Sequence, residues 1–356
     1  MTPETTLVTV AALQEFCEAA LTRCGLNERD AKITVDVLVT TDTMGVFTHG
    51  TKSLRGYVRR LRAGGLKADA VPQVTAQGPA WALVDGRSAI AMVTSVFAMN
   101  TAIYKARTAG VAYIGVRNSC HFGAAGYYAT LAARAGMIGM AMANDTPSMA
   151  VPGSRGAVLG TNPFAYAVPA GEEDPIVLDI ASAAVAGGKV RIAQALNQKV
   201  PDNWLVDAEG VPTTDPFVYP LAGALLPFAG HKGYGIALMI ETLSAVLAGG
   251  AIMGTVGSWM DSDPSQPTGH GAAFLAIDVS AMAPLDVFKI RVDAMIREIR
   301  AAPKAKGADR IYVPGEMEWQ KRRDALERGI ALPDDVMASL RGLAHDLAIE
   351  TNWLSA

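Results

Sequence analysis

Residues 118–128 read NSCHFGAAGYY. An imidazole with an unperturbed pKa of about 6.5 suits proton transfer near neutrality, so His121 is a candidate general acid/base. The glycine and alanine run behind it leaves room for a substrate. Cys120 is no partner for it, because neighbours on a strand point to opposite faces and do not form a nucleophile–base pair. A second stretch, GVFTHGTKSLRGY (45–57), sets Thr48 against His49. The hydroxyl can orient the ring or relay its proton, and Gly50 lets a ligand approach the backbone. Lys52 and Arg55 follow as cations able to meet a substrate carboxylate. The plainer alternative is that His49 closes a helix and the two cations stand on a solvated face. The third stretch is GHKGYG (230–235), taken with VLDIASAAVAGGK (177–189). Glycines, a lysine and a helix N-terminus suit an anion such as a pyrophosphate.

Other chemical devices are missing. The sequence contains no G-x-G-x-x-G, no G-x-x-x-x-G-K-[ST] and no G-x-S-x-G, so a Rossmann site, a P-loop and a nucleophile elbow are not expected. There is no H-E-x-x-H and no C-x-x-C pair, so no metal is expected. Lys+Arg number 31 against Asp+Glu 34, a net charge of −3 with the signs mixed, which does not suit a nucleic-acid partner. The three cysteines suggest a reducing, cytoplasmic setting rather than a disulfide framework. The most apolar run, 233–254, carries Glu241 near its middle and reads as a buried helix rather than a membrane span.

The elements that must hold these residues alternate. Helices are expected at 10–24, 28–44 (capped by Asn27 and closed at Gly45), 51–65, 89–109, 124–135, 233–249, 284–300 and 333–349. Strands are expected at 80–86, 111–118, 137–145, 175–181 and 272–278, with 65–74 a loop-like link and 203–216 a series of turns. The class is α/β. A helical lobe built from both chain ends, 1–75 plus 300–356, encloses an inserted sheet-containing lobe, 76–299.

Read in order, T-H-G, H-F-G-A-A-G-Y-Y, G-T-N-P-F-A-Y-A-V-P, L-D-I-A-S and P-F-A-G-H-K-G-Y-G resemble the malate/L-lactate dehydrogenase family of the non-Rossmann type. That family includes ureidoglycolate, sulfolactate and diketogulonate oxidoreductases and the piperideine-2-carboxylate reductases. The resemblance runs from about residue 10 to about residue 345, and 200–217 looks like the ureidoglycolate branch. It implies a nicotinamide-binding lobe with a mixed sheet unlike Rossmann, and a homodimer with active sites near the subunit interface. It implies NAD or NADP as cofactor and a small carboxylate substrate: a 2-hydroxy or 2-oxo acid, or alternatively a cyclic ketimine. On that resemblance His121 is the proton donor or acceptor, and Thr48 with His49 stands at the reacting centre. Asp145, Asp179, Ile180, Ala181, Lys232 and Gly233 hold the dinucleotide, and Lys52 or Arg55 meets the substrate. Two positions depart from the family pattern: Phe47 stands for the aspartate of D-S-H-G, and Ser53 stands for an arginine four residues after the histidine. An inactive member serving as a binding or assembly protein is the non-enzyme alternative.

Overall fold

A computed structural model describes residues 7–354. The chain opens with β1 (Leu7–Val8), then α1 (Val10–Thr22), α2 (Glu28–Thr43) and α3 (Leu54–Ala63). Asn27 caps α2, its Oδ1 accepting from the Asp30 N–H at 3.0 Å. Next come β2 (Gln73–Gly78), β3 (Trp81–Asp85), α4 (Ala91–Ala109), β4 (Val111–Ser119), α5 (Ala125–Arg134) and β5 (Met137–Ala143). They are followed by β6 (Phe164–Val168), β7 (Ile176–Ile180), α6 (Gly187–Ala195), β8 (Leu205–Val206), β9 (Pro212–Thr213) and β10 (Ala224–Leu225). The last elements are α7 (His231–Glu241), β11 (His270–Asp278), α8 (Leu285–Ala301), α9 (Glu316–Arg328), β12 (Ile330–Ala331) and α10 (Asp334–Leu347).

A mixed sheet of seven strands, ordered β2-β3-β4-β11-β5-β6-β7, forms the centre. Only β3 and β4 pair in parallel, joined through α4. The turn into that helix is Asp85-Gly86-Arg87-Ser88, not a glycine-rich phosphate loop. Helices α4 and α5 cover one face. Small side chains make that close approach possible: Ala98, Ala102, Ala129 and Ala132 lie buried with Ala112, Ala141, Ala165 and Ala272, while Phe274 and Tyr128 fill the wider gaps. Residues of the alternate register, Met142 and Ala273, pack with Ile240 of α7 on the other face.

Both chain ends join in the helical part. β1 pairs with β12, and α10 packs on α1 and α3 while α9 packs on α2. A smaller three-stranded sheet, β10-β8-β9, has its own apolar cluster with Met149, Leu159, Val190 and Ala237. The boundaries expected at 75/76 and 299/300 fall inside β2 and α8. Of the elements that lie where no helix or strand was expected, β2, β6, α6 and α9 are the longest. β2 is a polar edge strand, and β6 was legible only as part of a motif. Helices α6 and α9 are polar, with Val190 the one buried residue in α6 and Glu316 and Ala325 those in α9. The apolar run splits as well: α7 ends at Glu241, and a π-helical turn covers Thr242–Val246. No helix among the described residues is long and apolar enough to cross a membrane.

Candidate active site

Strand direction gathers the chemistry at one edge of the sheet. β11 lies antiparallel between β4 and β5, pairing His270 with Ser119 and Ala272 with Ala143. The start of β11 therefore meets the ends of β4 and β5, where His121 and Asp145 follow. β6 and β7 alternate in direction, so Phe164 pairs with Met142 on one side and Ile180 on the other. That brings Asp179, Ile180 and Ala181 to the same edge. The helical part closes the space from above with the end of α2 and the Thr48–His49 turn. Together they enclose a cavity of about 410 Å³, of the size that small-molecule sites occupy.

Thr48, His49, His121, Asp145, Asp179, Ile180 and Ala181 all line this cavity, together with His270, Asn144 and Glu318. The rings of His49 and His121 stand 5.5 Å apart, centre to centre. The Thr48 hydroxyl lies 2.9 Å from Nδ1 of His49. On His121, Nδ1 meets the Tyr57 hydroxyl at 2.6 Å, and Trp259 stacks on the ring at 4.4 Å and 11°. Trp259 is itself anchored: buried Arg60 donates to the carbonyls of Trp259 at 2.7 Å, Ser258 at 2.7 Å and Gln266 at 2.9 Å. Asp145 accepts from Nε2 of His270 at 3.1 Å and from the Thr146 N–H at 2.8 Å.

Burial sets the protonation states here. It pushes His121 down to about 3, aided by His49 and opposed by Asp145. The unperturbed value near neutrality does not survive in this pocket, and His121 rests as a neutral imidazole. Burial likewise lowers His49, against the pull of Asp145. On Asp145 burial acts to raise the pKa, but the hydrogen bond and charge of His270 outweigh it and keep the carboxylate below its usual range. Asp179 opens onto the cavity yet is ringed by protein, and burial raises it to about 6 against the Gly126 N–H that it accepts at 2.7 Å.

Two buried carboxylates brace the walls. Asp42 accepts from the Thr51 N–H at 3.1 Å and from its hydroxyl at 2.5 Å, fixing the turn that carries His49. A Cβ at residue 50 would overlap Asp42, so this turn requires Gly50. Glu241 accepts from Asn162 at 2.8 Å, Asn144 at 3.2 Å and the Met253 N–H at 2.8 Å. Asn162 in turn accepts from the Asp145 N–H at 3.1 Å. The charge inside the apolar run thus supports the floor of the cavity.

Other expected residues lie elsewhere. Lys52 and Arg55, expected at a substrate carboxylate, do not line the cavity; they reach outward to Asp335 at 2.5 Å and Asp346 at 2.9 Å. Both sit on the outward side of their turn, while Ser53 between them is buried and donates to the Thr48 carbonyl at 3.2 Å. Lys232 is exposed and outside the cavity lining, and Gly233 is buried against the Phe228 backbone, where a side chain would collide. Cys120 is packed in the apolar core with its thiol pushed up by burial. His270, Tyr57, Trp259, Asp42 and Asn162 were not singled out from the sequence. His270, in TGHG at the head of a clear strand, carried the one usable signal. Among the described residues no group of three or more His, Cys, Asp and Glu could hold a metal ion.

Residues 8–341 match the family profile described as malate/L-lactate dehydrogenase. The chain belongs to the malate/L-lactate dehydrogenase family. A malate dehydrogenase of Pyrococcus horikoshii is 35% identical over 95% of this chain and 94% of its own length. An NAD(+) ureidoglycolate dehydrogenase of Escherichia coli is 34% identical over 91% of this chain and 92% of its own. The solved sulfolactate dehydrogenase of Methanocaldococcus jannaschii superposes with a TM-score of 0.90 at 34% identity, covering 97% of this chain and 98% of that one. This malate/L-lactate dehydrogenase family member is an enzyme and an oxidoreductase, and its mixed sheet within a two-ended helical lobe is the fold of that sulfolactate dehydrogenase.

Proposed function

We propose that the chain moves a hydride between NAD or NADP and a small 2-hydroxy or 2-oxo acid, with His121 exchanging the proton. One observation carries this reading. Residues spread from Thr48 to His270 converge on a single cavity, where a neutral imidazole faces the space and its second nitrogen is already held. A bound nicotinamide supplies the hydride acceptor or donor. The cavity suits it: Gly123, Ala124, Ala125 and Gly126 leave an open wall, and Asp179 and Glu318 offer carboxylate oxygens that accept from ribose hydroxyls. Asp145, Asp179, Ile180 and Ala181 would hold the dinucleotide on the wall, with Lys232 and Gly233 beyond it.

His121 takes the hydroxyl proton of a 2-hydroxy acid, and with a pKa of about 3 it is unprotonated and ready across the neutral range. Tyr57 accepts the Nδ1–H as the ring becomes charged. Trp259 covers the ring face and keeps water from it. Thr48 and His49 orient the substrate. The same proposal includes a homodimer, a cytoplasmic setting and the two-lobe division of the chain. The test is a panel of 2-hydroxy acids, 2-oxo acids and cyclic ketimines with each nicotinamide, followed by the absorbance of the reduced cofactor. Turnover of 2-hydroxy acids is expected; turnover of ketimines alone would move the chemistry to C=N, and no turnover of any would favour the inactive-member reading.

A further inference from the structure

The cavity is unusual in its charges. Its lining includes the carboxylates of Asp145, Asp179 and Glu318, and among the described residues that line it there is no lysine or arginine. The cations nearest in sequence to the Thr48–His49 turn are committed elsewhere, Lys52 to Asp335 and Arg55 to Asp346. Between them Ser53 points inward but spends its hydroxyl on the Thr48 carbonyl. Neutral donors do face the space. The Thr48–His49 pair can donate to one carboxylate, while His121 keeps its Nδ1–H on Tyr57 and its other nitrogen for the substrate proton. A second anionic group would meet no lysine or arginine of this lining, and Asp145 is the carboxylate that acts on the His121 ring.

From this lining we infer the substrate class: a 2-hydroxy or 2-oxo monocarboxylate whose far end is uncharged or positive, rather than a dicarboxylate or a sulfonated acid. The inference rests on the hydride-transfer reading above and names the substrate of that same site. Its cause is electrostatic. A buried anion without a partner is costly, and a nearby carboxylate raises that cost in a medium of low dielectric. Burial, which keeps His49 and His121 neutral, leaves those two rings no positive charge to offer a second anion.

The test uses matched four-carbon acids that differ only at the far carbon. L-2-Hydroxybutyrate ends in a methyl group, 4-amino-2-hydroxybutyrate in an ammonium group and L-malate in a carboxylate. Each is measured twice, by turnover and by calorimetric binding to the full chain with oxidised nicotinamide dinucleotide present. The methyl and ammonium acids are expected to exceed malate by about tenfold or more in kcat/KM and in affinity, the factor expected for one uncompensated charge. Malate equal to or better than hydroxybutyrate would overturn the inference, and would point to a cation supplied by a second copy of the chain. Ordered binding without turnover would support the inference while sinking the hydride-transfer reading. Binding of none of the three acids would sink the inference itself.

Discussion

Two segments of this chain share one local pattern, a histidine among glycines at the start of a helix, and they meet different fates. In 118–128, His121 follows the end of β4, lines the cavity and is clasped by Tyr57, Trp259 and His49. In 230–235, His231 and Lys232 open α7 and both are exposed. That helix serves the cavity from its other end, through buried Glu241. The local sequence is alike; the setting is not. β4 ends where a sheet edge faces the helical lobe, while α7 begins on the outside of the sheet. A glycine-flanked histidine becomes a site residue when a second lobe closes over it.

The strongest way to break this contrast is to remove the imidazole that the cavity encloses. His121→Ala should lower kcat by about 10²–10⁴-fold and leave the dinucleotide dissociation constant nearly unchanged. Because burial holds His121 at about 3, the parent's kcat/KM for hydroxy-acid oxidation should show no His121 limb above about pH 5. A variant that turns over like the parent would hand the proton to water.

A smaller effect tests the clasp. Tyr57 is fully buried, its phenol is held in the protonated form by burial, and its ring remains stacked on Trp259 at 5.3 Å. Tyr57→Phe keeps that stack and removes only the hydroxyl that serves His121. It should lower kcat about tenfold, the worth of one buried hydrogen bond to a group that becomes charged, with substrate KM and melting temperature little changed. The solvent deuterium effect on kcat should rise as proton transfer becomes limiting. A fall in KM and kcat together with lost stability would make Tyr57 a packing residue only.

The helical lobe offers a test by pH. Burial, opposed by the hydrogen bonds from Thr51, raises Asp42 from 3.8 to about 7. The folded value lies above the unfolded one, so the stability this group contributes is whole below about pH 4 and is lost as the pH rises through about 7. Asparagine does not titrate. The melting temperature of Asp42→Asn, relative to the parent, should therefore climb by a few degrees between about pH 5 and 8. A difference that stays constant with pH would mean that Asp42 is already ionised in the fold.

These residues also show what the sequence could reveal. Asn27 as a cap, Gly45 as a stop and the apolar alternation of β4, β5 and β11 were legible, since propensity and periodicity are local. β2 and α9 were not, because a polar edge strand and a polar helix carry little periodicity. The cavity was half legible. His121, His49 and Thr48 stand in short motifs with visible chemistry. Tyr57, Trp259 and Asp42 carry no motif of their own, and only the packing of α2, α3 and the 258–266 loop sets them beside those histidines. Lys52 and Arg55 show the converse: the right residue type in the right segment, turned to the outside.

The mildest prediction asks how far the two segments differ in function. Lys232 is outside the cavity, but it stands only a few bonds beyond its wall. Ser182, next to lining residue Ala181, accepts from the Phe228 N–H at 3.0 Å, and the Phe228 carbonyl accepts from the Gly233 N–H at 3.0 Å. A dinucleotide seated against Ile180 and Ala181 and reaching along this connection would bring a pyrophosphate to the first turn of α7, where the helix dipole and the lysine favour an anion. Water screens an exposed lysine, so its contribution is small. Lys232→Ala should weaken dinucleotide binding by about 1 kcal/mol, roughly fivefold, leave kcat at saturating cofactor unchanged, and lose its effect at high salt. A dissociation constant identical to the parent's at low salt would confine the dinucleotide to the cavity. The 230–235 segment would then be a helix start whose glycine is explained by packing alone, and the contrast with 118–128 would be complete.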